Sequence, residues 1–193
     1  MNEDLLQTLK EQIAAGDQLA FRKLFDLYAK KLTLFSASII RSADEAREIV
    51  DEVFVKIWRK RAELPSVQNL RVYLYTATKN TSLNYLSAKA RESATEPFDF
   101  FDIQLTDGDS PEKKMITSEL ARKIASAIDA LPPRCKMVFK LVREDGLSYK
   151  EVARILNISP KTVDAQMVIA VKQISEKLRL SFDFFPARVA RKN

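Results

Sequence analysis

Apolar residues along this chain recur at three- and four-residue steps and nowhere alternate in the two-residue rhythm of a strand, so the pattern predicts helices throughout. Leu5, Leu6, Leu9 and Ile13 mark a first short helix ending near Gly16, and Asp17 caps the next. From Ala20, the residues Leu24, Phe25, Tyr28, Leu32, Phe35 and Ile39 keep the helical period. Ser42 and Glu45 form a capping box ahead of a helix running to about Arg61, with Ile49, Val50, Val53, Phe54, Ile57 and Trp58 on its apolar face. The stretch from Leu64 to Asn69 reads as a loop, because Pro65 disfavours helix at Leu64. Another helix follows from Leu70 to about Ala90. Arg91 to Ser110 loses the period and gains Pro97 and several aspartates, as a linker does, although Phe98, Phe100, Phe101 and Ile103 suit docking on another surface. Ser110-Pro111-Glu112 restarts a helix, which Leu131-Pro132-Pro133 breaks, and Met137, Val138, Leu141 and Val142 mark the short helix after it.

The stretch from Gly146 to Leu178 carries the clearest punctuation. Ser148 with Glu151 is a capping box, and Val152, Ile155 and Leu156 share one face. Asn157 tolerates the left-handed conformation that ends a helix, and Ser159-Pro160 opens another at once. Val163, Met167, Ala170, Ile174 and Leu178 then face inward, leaving Lys161, Thr162, Asp164, Ala165, Val168 and Lys172 outward. Two helices joined this tightly form a helix-turn-helix, whose second helix reads DNA in the major groove. An ordinary helical hairpin has the same apolar faces, so charge has to be weighed next.

Residues 1–90 carry 14 basic and 11 acidic side chains, 91–118 carry 3 and 7, and 119–193 carry 15 and 8. Two basic bodies flank an acidic strap, and the more basic one holds the helix-turn-helix, which makes phosphates the natural partner. The helix after Leu70 interleaves Tyr73, Tyr75 and Tyr85 with Arg71, Lys79, Asn80 and Asn84. Rings stack on unpaired bases, cations follow phosphates and amides read base edges. Taken alone, the three tyrosines read more readily as half-buried helix residues. The 193 residues contain no histidine, one cysteine (Cys135) and three glycines, so zinc sites, imidazole bases, disulfides and glycine-rich phosphate loops have nothing to be built from. No metal, cofactor or catalytic residue is expected, and the chain is not read as an enzyme. No apolar run reaches the roughly 18 residues that span a bilayer, and the N-terminus is acidic and polar, which points to a cytoplasmic protein without membrane insertion.

The expected fold is all-α: a helical domain over 1–92, an acidic linker over 93–110, a helix-turn-helix domain over 111–182 and a tail over 183–193. Three stretches in this order, DEAREIVDEVFVKIWRKR at 44–61, LRVYLYTATKNTSLNYL at 70–86 and LPPRCKMVFKLVREDGLSYKEVARILNISPKTVDAQM at 131–167, resemble the extracytoplasmic-function (ECF) subfamily of bacterial RNA polymerase sigma factors. The resemblance covers nearly the whole chain. It implies a protein that binds RNA polymerase core through the clamp helices and flap of the large subunits and directs promoter-specific transcription initiation. Asp51, Glu52 and Phe54 match the polymerase-binding helix. Leu64, Pro65, Ser66, Val67, Gln68 and Asn69 match the loop that captures a flipped base of the minus-ten element. Lys56, Arg59, Lys79 and Asn80 match positions near the separated strand, which Arg71, Tyr73, Tyr75 and Asn84 adjoin. Ser159, Lys161, Thr162, Asp164, Ala165, Gln166, Val168 and Lys172 belong to the helix that reads the minus-thirty-five element in double-stranded promoter DNA. An anti-sigma protein is a further partner the resemblance implies.

Several positions depart from the family pattern. Tyr73 stands where tryptophan is usual, Ala77-Thr78 replaces Ile-Ala, and Gln166 and Ile169 occupy positions often held by arginine. Base reading then falls to Gln166, Asp164 and methyl contacts from Ala165 and Val168, with Lys161 and Lys172 on phosphates. A stand-alone helix-turn-helix regulator with an N-terminal sensing or dimerisation domain is the alternative. It leaves the charged helix at 44–61 and the aromatic-cationic helix after Leu70 unexplained. An all-helical enzyme fits less well, because no side chains converge chemically.

Overall fold

The computed structural model describes residues 3–92 and 119–183, and every element among them is helical. In order these are α1 (Glu3–Ala14), α2 (Gln18–Ile40), α3 (Ala43–Arg59), a 3-10 segment (Arg61–Ser66), α4 (Leu70–Glu92), α5 (Glu119–Asp129), α6 (Pro133–Arg143), α7 (Tyr149–Leu156) and α8 (Pro160–Asp183). The expected linker over 93–110 with its phenylalanines, the helix restart at Ser110-Pro111-Glu112, and residues 184–193 of the tail lie outside the described residues.

Helix ends follow local chemistry. The Asp17 carboxylate accepts from the amides of Leu19 and Ala20 at 2.8 and 3.1 Å, opening α2. Arg41 closes α2 in the left-handed conformation (φ 61°), its amide donating to the Ala37 carbonyl. Arginine gives no sequence cue for that conformation, and Ser42 caps the next helix immediately after it. The Ser42 hydroxyl accepts from the Glu45 amide at 3.4 Å, but Glu45 directs its carboxylate across to α4, where it accepts from the Tyr85 hydroxyl and, at 3.0 Å, from the Lys89 ammonium. The expected loop after α3 is instead a 3-10 turn that accommodates Pro65, since a short tight turn needs fewer of the amide donors proline lacks.

Helices α1 to α4 enclose one aromatic-rich core. Phe54 is 2% exposed and packs against Phe21 and Phe25 with ring centroids 6.0 and 4.8 Å away. Phe54 therefore supports α3 from inside, as its place on the apolar face of the helix predicts. Leu64 is likewise buried, and Tyr75, 1% exposed, lies edge-on to Phe35 at 5.2 Å. Neither presents a surface to a base in this structure. Burial holds the phenols of Tyr75 and Tyr28 high, that of Tyr28 at about 12.

In the C-terminal half, α5, α6 and α7 pack on α8, with Leu131, Cys135 and Ala170 forming a small cluster. Burial raises the Cys135 thiol, in keeping with an inert core cysteine. The two halves are not separate in the described structure. Leu70, Leu74 and Tyr75 of α4 belong to the same buried cluster as Val138, Leu141, Leu147 and Val152.

Candidate nucleic-acid interface

The helix-turn-helix forms as its caps dictate. The Ser148 hydroxyl accepts from the Glu151 amide at 3.3 Å while the Glu151 carboxylate accepts from the Ser148 amide at 2.7 Å, so the box is closed in both directions. Asn157 sits at φ 56°, ending α7 in the left-handed conformation. The Ser159 hydroxyl oxygen accepts from the Thr162 amide at 3.0 Å and lies 2.8 Å from the Thr162 hydroxyl, so both side chains are engaged in starting α8. Val163, Met167 and Ala170 are buried, and Lys161, Asp164, Ala165, Val168 and Lys172 are exposed, Val168 at 61%. Ile169 and Val171 on the same helix are exposed as well. Gln166 sits at the edge of the outward face: it is half-buried, and its amide oxygen accepts from the Cys135 thiol at 2.8 Å. That oxygen is thus engaged within the domain.

The second candidate surface gathers around the N-terminus of α4. Asn69 caps that helix, its side-chain oxygen accepting from the Val72 amide at 3.0 Å. A cleft of about 490 Å³ opens beside it, lined by Gln68, Asn69, Val72, Tyr73, Thr76, Ala77, Asn80 and Arg154, the last contributed by α7. Amides, one phenol ring and a guanidinium around a cleft of this size are able to hold a planar polar group such as a base. Pro65, Ser66 and Gln68 are exposed, as are Asn80 and Asn84 along α4. Lys79 is half-buried, and burial lowers its ammonium pKa.

The same corner is bound to the helix-turn-helix. The Asn69 amide nitrogen donates to one Glu151 carboxylate oxygen at 3.0 Å. The Arg71 guanidinium donates to the Gly146 carbonyl at 2.7 Å and lies 3.4 Å from the other carboxylate oxygen, the two side chains being only 19% and 16% exposed. Burial alone would raise the Glu151 carboxyl. Hydrogen bonds from the Ser148 amide, Asn69 and the Ser148 hydroxyl, with the Arg71 charge, outweigh it and hold the group below its ordinary value. Asp145, 4.0 Å from Lys31, is raised by burial despite the opposing influence of Tyr75, Lys31 and Arg71.

The exposed face of α3 is a third surface. Asp51, Glu52, Lys56 and Arg59 all face solvent, with Lys56 2.5 Å from Glu52 one turn away. The Arg61 guanidinium covers the Trp58 ring at 4.8 Å, a contact that sequence spacing did not single out. Nor did it single out Glu151 as a bridge to α4, Arg154 as a cleft residue, or Lys10, which lies on the apolar face of α1. Charged residues at core-facing positions are the signal that points to Lys10. Among the described residues no acidic, cysteine or histidine group is arranged to hold a metal, and no helix is long and apolar enough to cross a membrane.

Comparison with known proteins bears on all three surfaces. Residues 24–92 match the family model for Sigma-70 region 2, and residues 121–174 match that for Sigma-70, region 4. The chain is 29% identical over 187 residues to the ECF RNA polymerase sigma-E factor of Escherichia coli K12, spanning 93% of this chain and 97% of the relative. It is 29% identical over 180 residues to the corresponding factor of Haemophilus influenzae, spanning 90% and 95%. Among solved structures, CnrH in complex with the cytosolic domain of CnrY shares the fold at a TM-score of 0.57 and 22% identity, covering 91% of this chain and 98% of that one. The sigma factor RpoE in complex with the anti-sigma factor NepR from Bartonella quintana does so at 0.59 and 20% identity, covering 82% and 96%.

Proposed function

The chain belongs to the ECF subfamily of RNA polymerase sigma factors and directs promoter-specific transcription initiation with RNA polymerase core, and we propose that its three exposed surfaces divide that task. Asp51 and Glu52 on α3 meet the polymerase clamp. The stretch from Leu64 to Asn69, with Tyr73, Asn80 and Asn84 of α4, captures and reads the minus-ten element as it melts, while Lys56, Arg59 and Lys79 follow the separated strand. The outward face of α8 reads the minus-thirty-five element, Ala165 and Val168 by methyl contact and Lys161 and Lys172 through phosphates. The observation that supports this division is the exposed face of α8 with Lys161, Ala165, Val168 and Lys172, opposite buried Val163, Met167 and Ala170 and after the Ser159 cap. Sigma factors are not enzymes, and this one acts in the cytoplasm, where polymerase and promoters are. An anti-sigma protein is its proposed inhibitory partner. A stand-alone regulator would leave the match to Sigma-70 region 2 without a purpose.

Alone, the protein binds duplex promoter DNA weakly and does not open it. A single helix-turn-helix buries little DNA surface, flipping a paired base costs about a few kcal/mol, and Asn69 and Arg71 are engaged by α7. Core polymerase supplies further DNA contacts and fixes the two readings at one separation. Permanganate footprinting of a promoter library with protein, core, or both tests this. Reactive thymines at the minus-ten element appear only with both; opening by the protein alone, or by neither combination on any promoter, overturns the reading.

A further inference from the structure

Lys10 occupies a core position of α1. It is 6% exposed, on the face that also buries Leu6, Leu9 and Ile13. A methionine or leucine there would complete the apolar stripe without the penalty of burying an ammonium group. The ammonium is not idle, since it donates to the carbonyl of Val67 at 2.8 Å, 57 residues along the chain.

That carbonyl lies in the middle of the stretch assigned to base capture. Ties along the stretch include the 3-10 bond from the Val67 amide to the Leu64 carbonyl at 3.0 Å and the Ser66 hydroxyl on the Glu63 carbonyl at 2.6 Å, and three more reach outside it. Leu64 is buried in the core at 2% exposure, Val67 is held through its carbonyl by Lys10, and Asn69 is held as the cap of α4. Between the ties, Pro65, Ser66 and Gln68 remain exposed, and Gln68 lines the cleft. A segment that ends a 3-10 turn at Ser66 and begins a helix at Leu70 has few backbone hydrogen bonds of its own to fix it. The Lys10 ammonium is the side-chain donor that the structure gives to the Val67 carbonyl, which belongs to the peptide leading into Gln68.

We propose that Lys10 is a positioning residue for minus-ten recognition: it preorganises the stretch from Leu64 to Asn69 so that Gln68 and its neighbours meet the captured base without further ordering. The inference rests on the base-capture role proposed above. Preorganised groups avoid an ordering penalty at the moment of binding, and small misplacements of a reading group lose much of its discrimination.

The test uses the full chain in holoenzyme with core polymerase, transcribing a library randomised at both promoter elements. Lys10→Met keeps the stem and removes the donor, Lys10→Arg keeps a charged donor, and Gln68→Ala reports on the stretch itself. Lys10→Met is expected to flatten base preference at the captured minus-ten position by on the order of tenfold, leaving minus-thirty-five preference intact. Lys10→Arg retains most of the preference. Should Lys10→Met not fold, Lys10→Gln, whose amide nitrogen stops one bond short, gives the same reading. A Lys10→Met holoenzyme that keeps its minus-ten preference while Gln68→Ala loses it overturns the positioning role. Equal weakening on every promoter, with a lowered melting temperature, also overturns it and leaves Lys10 a purely structural tie. If Gln68→Ala and Lys10→Met both leave the preference unchanged, the base-capture assignment fails, and the positioning role with it.

Discussion

Replacing Glu151 with glutamine separates two duties of one carboxylate. Glutamine at the third position of α7 still closes a capping box, so the helix should form as before. The contact with α4 does not survive so well. One Glu151 oxygen serves Ser148 and faces Arg71, while the other accepts from the Asn69 amide nitrogen. If the glutamine oxygen stays on Ser148, its own amide nitrogen points at the Asn69 nitrogen, donor against donor. Asn69 cannot turn over to help, because its oxygen is committed to the Val72 amide. The variant thus loses one hydrogen bond to a charged acceptor and the attraction of Arg71 in a pair that is mostly buried. A loss of about 2 kcal/mol is the expected scale, roughly thirtyfold in the ratio of closed protein, with the α4–α7 contact made, to open protein, with it broken. The assay is binding of a single-stranded minus-ten oligonucleotide to the protein alone, with helicity followed by circular dichroism. If the open form is the one that binds, apparent affinity rises by up to the same factor. A carboxyl depressed in the closed form contributes stability above its ordinary value of 4.5, and that contribution is lost as pH falls through the lower, closed-state value. Wild-type affinity therefore rises as pH falls below about 4.5, and the glutamine variant shows no such rise from this group. Unchanged oligonucleotide affinity in the variant, with α7 intact, would refute the idea that this contact restrains the minus-ten surface.

Three further outcomes follow from the geometry. Changing Asp51 and Glu52 to lysine leaves thermal stability nearly unchanged, because the Glu52–Lys56 pair is exposed, but weakens binding to core polymerase by about 2–5 kcal/mol in a titration with labelled protein. Phe54→Ala does the opposite: it empties a core position between Phe21 and Phe25 and lowers stability by about 3–5 kcal/mol in chemical denaturation. Lys172→Ala reduces the salt dependence of holoenzyme–promoter binding by about one unit on all sequences alike, whereas Val168→Ala weakens preference for thymine at one minus-thirty-five position.

Much of this protein was legible before any coordinates, because helix identity and helix ends are local. The Ser148–Glu151 box, the left-handed Asn157 and the Ser159-Pro160 restart each depend on residues within one turn, and each formed as its neighbours required. The inward faces of α2, α3 and α8 follow from the same periodicity, which is a property of the chain and not of its surroundings. Where tertiary packing decides, local reading leaves the choice open. Tyr75 and Phe54 sit where either a partner or a core could take them, and only the approach of Phe35 in one case, and of Phe21 and Phe25 in the other, made them core. Pro65 signalled a break, but the 3-10 turn around it, the burial of Leu64 within it and the bond from Lys10 to Val67 just after it carry no local signal. The grip of Glu151 on Asn69 and Arg71 joins residues about 80 positions apart, a separation at which one sequence carries no periodic signal. Hydrophobic spacing determined which helices exist and which way they face; contacts between distant segments decided which of the candidate reading residues stand open and which are held.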